Sequence, residues 1–223
     1  MIRLRRKKDI LPDLPEPDLV PHKTAMLVVD MQYLCAHPDY GLAKIAREKG
    51  MFDAWREYYD EIEQIIPRIK ELQTICRRKQ MEVIFLTVSS FTRGCREIAH
   101  RERKKYLVAP KDSKEAEILE ELKPVGDELV LNKFTSGAFN STPLDKILQN
   151  MSIENLIVVG VNSNYCVETT VRDAGDRGYN VVLVDDCCAG WTREHHRYAM
   201  EILNDAYCKV KSSIEVKSLI EKY

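Results

Sequence analysis

The 223-residue sequence lacks long apolar runs and lacks any excess of charge. No run approaches the roughly 18 residues needed to cross a membrane, and the net charge is only −1. A near-neutral chain has no overall basic field to attract nucleic acid. The basic N-terminus is not followed by the apolar stretch of a secretory signal peptide. We therefore expect a cytoplasmic protein with no membrane and no nucleic-acid partner.

Cysteine pairs of the CxxC type are also absent, although the chain has seven cysteines. Without such a pair, neither a zinc site nor a redox dithiol is indicated. Cys187 and Cys188 are adjacent, and neighbouring cysteines rarely form an unstrained disulfide. The sequence therefore predicts reduced thiols, as in cytoplasmic proteins.

The remaining pattern is that of one α/β domain over residues 23–223, preceded by an N-terminal arm over residues 1–22. Four prolines between positions 12 and 21 prevent regular helix or strand in the arm. Apolar runs and helical periodicities then alternate, which predicts a three-layer α/β/α fold with a six-stranded, mostly parallel sheet. Strands are predicted at 25–29, 81–88, 128–131, 156–159, 179–184 and 206–210, helices mainly at 55–79, 116–122, 143–149, 166–174 and 193–205 and after Ser212, and long loops at 31–50 and 89–113.

The segment 155–190 holds a strand, a tight turn, a helix and a second strand. Leu156 to Val159 is apolar and β-branched, and Gly160 is expected to end this strand. Cys166 follows in the first turn of the helix, beyond the carboxyl end of the strand, where active sites of open α/β sheets lie. Since the N-terminus of a helix stabilises negative charge, we expect a lowered thiol pKa and a nucleophilic cysteine. The alternative is a merely buried cysteine.

Two further residues are predicted at the same edge of the sheet. Asp30 follows the first strand, and Lys133 lies just past the third. If the strands are neighbours, Asp30, Lys133 and Cys166 bring a carboxylate base, a cation and a nucleophile together. Each residue taken alone could equally be an ordinary surface or core side chain.

Three segments resemble the isochorismatase-like cysteine hydrolases: AMLVVDMQ (25–32), LNKFTSGAFNSTPLD (131–145) and VVGVNSNYCVETTVRDAGDRGYNVVLVDDCCAG (158–190). They occur in the order and at the approximate spacing of that family, over about residues 22–211. The resemblance implies a Rossmann-like, isochorismatase-type fold. It also implies an Asp-Lys-Cys triad, formed here by Asp30, Lys133 and Cys166, that hydrolyses small amides, ureas and related C–N bonds without a cofactor.

The resemblance implies further roles around the triad. The backbone N–H groups of Asn162 and Cys166 would hold the oxyanion, with a cis peptide bond between Val161 and Asn162. We expect Arg93, on the loop after the second strand, to bind carbonyl or carboxylate oxygens of the substrate. Gln32, Phe139 and Tyr165 complete the predicted substrate-binding set.

Differences between this sequence and known branches of the family narrow the range of reactions that we expect. The region TVSSFTRGCREIAH has only the distant His100, so a nicotinamidase-type metal site is not expected. Cys166 argues against the ether cleavage of true isochorismatases, which lack the cysteine. The run from Cys166 to Gly190 looks most like the branch that acts on ureido compounds. The alternatives are a vinyl-ether hydrolase and a non-catalytic binding or scaffold protein. By resemblance, we expect a homodimer or homotetramer with a small-molecule substrate.

Overall fold

A central parallel sheet organises the chain. The computed structural model describes residues 12–223 and contains six strands in the order β3-β2-β1-β4-β5-β6, all paired in parallel. The strands are β1 Thr24–Val29, β2 Glu82–Val88, β3 Val130–Lys133, β4 Asn155–Val161, β5 Asn180–Ala189 and β6 Lys209–Lys211. The α-helices are α1 Tyr33–Ala36, α2 Gly41–Glu48, α3 Arg56–Arg78, α4 His100–Lys104, α5 Leu144–Asn150, α6 Glu168–Asp176, α7 Arg193–Leu203 and α8 Ser213–Ile220.

Helices cover both faces of the sheet and create two separate apolar cores. Alternate residues of β1 point to opposite faces, so Met26 and Val28 join one core while Ala25 and Leu27 join the other. The first core is completed by α3 and α8, and the second by α5, α6 and α7. The predicted three-layer α/β/α fold is confirmed.

Helix α3 illustrates how the apolar pattern determines an element. Ile62, Ile65, Ile69 and Leu72 are buried at three- and four-residue spacing, and charged side chains lie between them. Pro67 lies inside one continuous helix rather than separating two helices.

The helix predicted over residues 116–122 is wrong. The segment contains two short 3₁₀ turns, Lys114–Ala116 and Glu120–Leu122, with extended residues between them. Two backbone hydrogen bonds to the segment after β1 hold these residues extended: Tyr33 N–H donates to the Glu117 carbonyl, and Leu119 N–H donates to the Met31 carbonyl. These long-range bonds replace the helical ones.

The segments predicted as loops are also more regular than expected, since 31–50 contains α1 and α2 and 89–113 contains α4. Strand β4 continues through Gly160 to Val161 instead of ending at the glycine. Gly160 has φ +114°, and a Cβ there would lie 2.1 Å from the carbonyl oxygen of Val29. The glycine therefore lets β4 approach β1 closely, beside the end of both strands.

The predicted arm is described from Pro12 onward, and its basic positions 3–8 lie outside the described residues. Within it, Leu19 is buried in the first core, and Glu16 Oε2 lies 2.7 Å from Lys211 Nζ. No helix between residues 12 and 223 is long and apolar enough to cross a membrane. The cytoplasmic location and the homodimer or homotetramer stay predictions.

Candidate active site

The sheet brings the three predicted catalytic residues to one edge. Asp30 directly follows β1, and Cys166 follows the neighbouring strand β4. Lys133 ends β3, two strands away from Asp30, opposite Val88 of the intervening strand β2. The lysine side chain spans that strand end, and its Nζ lies 2.8 Å from Asp30 Oδ2. The junction of β1 and β4 is where the strand order reverses, which is the usual ligand-binding position in open α/β sheets.

Asp30 and Lys133 form an ion pair that is shielded from water, with side chains 1% and 0% exposed. Burial raises the pKa of Asp30, and this effect outweighs the opposing charge of Lys133. Burial lowers the pKa of Lys133, but the charges of Asp30 and Cys166 outweigh it and the pKa is raised. Asp30 Oδ1 is buried and has no hydrogen-bond partner among residues 12–223. Asp30 therefore has an oxygen that can accept a proton.

The Cys166 thiol lies in surroundings that disfavour its charged form. Its side chain is almost fully buried, and burial followed by the charge of Asp30 raises the thiol pKa well above its ordinary value. The expected lowering of the thiol pKa is therefore wrong, because desolvation outweighs the effect of the Lys133 charge. A neutral thiol beside a carboxylate needs that carboxylate to remove its proton when it attacks.

Cys166 lies in a π-helical turn, Ser163–Val167, rather than in the first turn of an α-helix. The N–H groups of Tyr165 and Val167 both donate to the carbonyl of Asn162, which fixes the start of the turn. The peptide bond between Val161 and Asn162 is cis, as the resemblance implies. Asn162 and Cys166 therefore lie at the two ends of one compact turn, and their oxyanion role stays a prediction.

Helix α7 contacts this turn through His196. Ser163 Oγ lies 3.1 Å from His196 Nδ1, and His196 Nε2 lies 2.8 Å from Asp185 Oδ1. Although these are the residue types of a serine hydrolase triad, Ser163 is fully buried, and its hydroxyl contacts the His196 ring within the protein. Gly190 leaves the space for this contact, because a Cβ there would lie 2.7 Å from Ser163 Oγ. Ser163, His196 and Asp185 therefore position the cysteine turn.

Two of the predicted substrate-binding residues make their contacts within the protein interior. The Gln32 side chain is fully buried, and its amide donates to the carbonyls of Val88 and Glu115 while accepting from Val88 N–H. Its polar atoms are therefore engaged with the backbone. Phe139 is buried in the second core, with its ring 5.8 Å from that of Tyr179. Neither side chain is presented to a ligand as predicted.

The predicted substrate-binding arginine is not at the triad. Arg93 is 86% exposed and lies 3.9 Å from Asp112, with no contact to Asp30, Lys133 or Cys166 in the described chain. Arg101 lies nearer: its guanidinium is 5.1 Å from the centroid of the Tyr165 ring, and its Nη2 donates to Ser136 Oγ. The basic composition of segment 89–113 could not indicate that Arg101, rather than Arg93, contacts Tyr165, and a substrate-binding role for this loop stays a prediction.

Tyr165, the fourth predicted residue, precedes Cys166 and is only partly buried. Its ring stacks on Trp191 with centroids 5.5 Å apart. Trp191 was missed by the sequence analysis, although it follows β5 at the same edge of the sheet as Asp30 and Cys166. Applying the strand-end argument to every strand would have found it.

No group of three or more His, Cys, Asp and Glu side chains between residues 12 and 223 is arranged to hold a metal ion. The candidate site thus consists of a buried carboxylate, a buried ammonium group and a thiol, with an aromatic pair beside them. These groups can transfer a proton and form a covalent bond to an electrophilic carbon.

Comparison with known proteins identifies the family. The isochorismatase domain matches residues 24–215, which is most of the chain. The chain belongs to the isochorismatase family. The predicted resemblance to this family is confirmed.

Relatives within the family differ in what they are known to do. The chain is 36% identical over 107 residues to the uncharacterized isochorismatase family protein YddQ of Bacillus subtilis, covering 44% of this chain but only 59% of YddQ. It is 26% identical to the ureidoacrylate amidohydrolase RutB of Rhizobium rhizogenes, covering 82% and 77% of the two chains. A cysteine hydrolase structure from Pseudomonas syringae pv. phaseolicola superimposes with a TM-score of 0.79 at 22% identity, covering 94% and 97% of the two chains. The last similarity establishes the shared fold.

Proposed function

We propose that this isochorismatase-family protein hydrolyses the C–N bond of a small amide or ureido compound through a cysteine thioester. The observation that carries the proposal is the buried contact of Asp30 with Lys133 beside the Cys166 thiol. The relationship to an enzyme described as a ureidoacrylate amidohydrolase supports the choice of C–N chemistry.

The first half-reaction forms the thioester. Cys166 Sγ attacks the carbonyl carbon while Asp30 accepts the thiol proton, so a C–S bond forms and the carbonyl oxygen becomes an oxyanion. Backbone N–H groups of Asn162 and Cys166 stabilise that oxyanion. The C–N bond then breaks, and the protonated Asp30 gives its proton to the leaving nitrogen, which departs as ammonia or an amine.

The second half-reaction releases the acid. Asp30, ionised again, takes a proton from a water molecule that attacks the thioester carbonyl. The C–S bond then breaks, and Asp30 gives this proton to the sulfur, which restores the thiol and the carboxylate. Lys133 remains charged throughout and offsets the cost of an ionised carboxylate in a buried site. Lys133 is thus the residue that keeps Asp30 available as a base.

The test is ammonia or amine release from a panel of ureidoacrylate, biuret, N-carbamoyl amino acids, nicotinamide and simple carboxamides. We expect turnover of at least one compound by the unchanged protein and none by Cys166→Ser. Cys95→Ser is a matched control, because Cys95 and Cys166 are both 7% exposed and Cys95 lies outside the triad. Full activity in Cys166→Ser would exclude a thioester intermediate and would overturn the proposed mechanism.

A further inference from the structure

A cavity of about 390 Å³ opens beside the candidate active site and carries an unbalanced positive charge. Its walls are mainly apolar and aromatic, including Trp55, Tyr106 and Trp191, and three lysines also line it: Lys49, Lys104 and Lys105. No aspartate or glutamate lines the cavity, and none of these lysines has an ion-pair partner within residues 12–223. A volume of this size suits a small organic ligand.

Lys105 connects the cavity to the cysteine turn. Its Nζ lies 5.5 Å from the centroid of the Tyr165 ring and 5.7 Å from that of Trp191. Tyr165 directly precedes Cys166 in the chain, so the cavity and the cysteine turn share one aromatic side chain as a neighbour. Lys49 similarly lies 5.0 Å from the Tyr106 ring. The aromatic faces hold these cations over the cavity without neutralising their charge.

Two polar groups of the Tyr165–Trp191 pair have no hydrogen-bond partner among the described residues. The indole N–H of Trp191 and the hydroxyl of Tyr165 are both buried and make no hydrogen bond within the described chain. A buried donor without an acceptor costs free energy, so such groups favour a ligand that supplies an acceptor. Ammonium groups and an indole N–H share one preference, which is for an anion.

We propose that the cavity binds the carboxylate end of a small, flat, unsaturated or aromatic substrate. The carboxylate pairs with Lys105, assisted by Lys49 and Lys104, and the flat body lies against Trp55 and Trp191. This inference rests on the proposed function. Together they predict that the substrate is an amide or ureido compound with a carboxylate away from its scissile bond. The binding site itself can be tested without turnover.

The chain offers its own reporter for this cavity, because Trp55 and Trp191 are its only two tryptophans and both line it. Cys166→Ser protein is titrated with crotonate and with its neutral counterpart crotonamide, followed by tryptophan fluorescence and by equilibrium dialysis. We expect saturable crotonate binding that weakens as salt is raised and no comparable binding of crotonamide. Lys105→Gln should weaken crotonate binding at least tenfold.

Lys111→Gln provides the control, since Lys111 is exposed on the same segment but does not line the cavity. Crotonate binding that is absent in both assays, or that is unchanged in Lys105→Gln, would overturn the proposal. A Lys105→Gln protein that changes oligomeric state and shows no crotonate effect would make the surface a subunit contact instead. Crotonate binding without any amide hydrolysis would retain the cavity and reject the proposed function. Equal hydrolysis of acidic and neutral amides without crotonate binding would retain the proposed function and reject the cavity as a carboxylate site.

Discussion

Asp30 and Lys133 form a buried ion pair whose loss should affect both stability and the proposed catalysis. Removing one partner leaves the other charged and buried, which typically costs about 3–5 kcal/mol. We therefore expect Lys133→Met to lower the free energy of unfolding by about that amount, as measured by urea denaturation. Asp30→Asn should have a similar effect, because it leaves the Lys133 ammonium group without a counter-charge.

The double variant Asp30→Asn with Lys133→Met separates stability from catalysis. It removes both buried charges, so we expect most of the lost unfolding free energy to return while hydrolysis stays absent. Simple addition of the two single effects would contradict a direct interaction between the side chains.

The protonation of Cys166 predicts an unusual pH dependence. A thiol whose pKa is raised remains neutral at pH 7, and its thiolate fraction grows only above the ordinary range of about 8–9. Alkylation of Cys166 by iodoacetamide should therefore be slow at pH 7 and should increase only in alkaline solution, as followed by mass spectrometry of the labelled peptide. Rapid labelling of Cys166 at pH 6 would show a thiolate and would refute this protonation state.

The pH dependence of turnover should reflect the ionisation of Asp30 and not that of the free thiol. Burial raises the pKa of this carboxyl, so its basic form is lost at a higher pH than for an ordinary aspartate. We expect kcat/KM to fall as the pH is lowered through a range above about 4. A profile that is flat down to pH 4 would mean that Asp30 is not the base.

At the scale of elements, α7 controls the geometry of the cysteine turn. His196→Ala removes the contact that holds Ser163, so the turn and its N–H groups can shift by a fraction of an ångström. Such displacements commonly reduce turnover about 10–100-fold, and we expect kcat to fall by that range with KM little changed. His195→Ala is the control, because the neighbouring ring contacts the exposed Thr192 instead.

A double-mutant cycle with Ser163→Ala distinguishes positioning from general destabilisation. If His196 acts through Ser163, the two substitutions together should reduce kcat no more than either alone. Multiplicative effects, or equal losses in His195→Ala, would argue that α7 merely stabilises the domain.

Some of these elements can be predicted from sequence patterns, and others cannot. Helix α3 is predictable because its apolar face repeats regularly over six turns. Helix α1 is only four residues long and entirely buried, so it has no polar face to show a period. The start of α2 depends on a tertiary contact, since Gly41 lies against the backbone of Leu34 so closely that no Cβ would fit.

For the whole molecule, the triad could be predicted because strand ends in a parallel sheet necessarily share an edge. The cavity could not, because its walls come from α2, α4 and the segment after β5, which meet only in the folded chain. Lys49 and Lys105 have no sequence relationship that predicts their proximity. The proposed substrate preference therefore depends on long-range packing, whereas the proposed chemistry depends on local position along strands.

The attachment of residues 12–22 to the domain provides a whole-molecule test of which interactions matter. Leu19 is 1% exposed in the first core, whereas the Glu16 partner of Lys211 is 66% exposed. Truncating a buried leucine costs about 2–5 kcal/mol, and an exposed ion pair contributes about 0–1 kcal/mol. Urea denaturation should therefore show a large loss of stability for Leu19→Ala and almost none for Glu16→Gln. Equal small effects would mean that this segment is only loosely attached, while a large effect of Glu16→Gln alone would make charge, rather than apolar burial, the force that holds it.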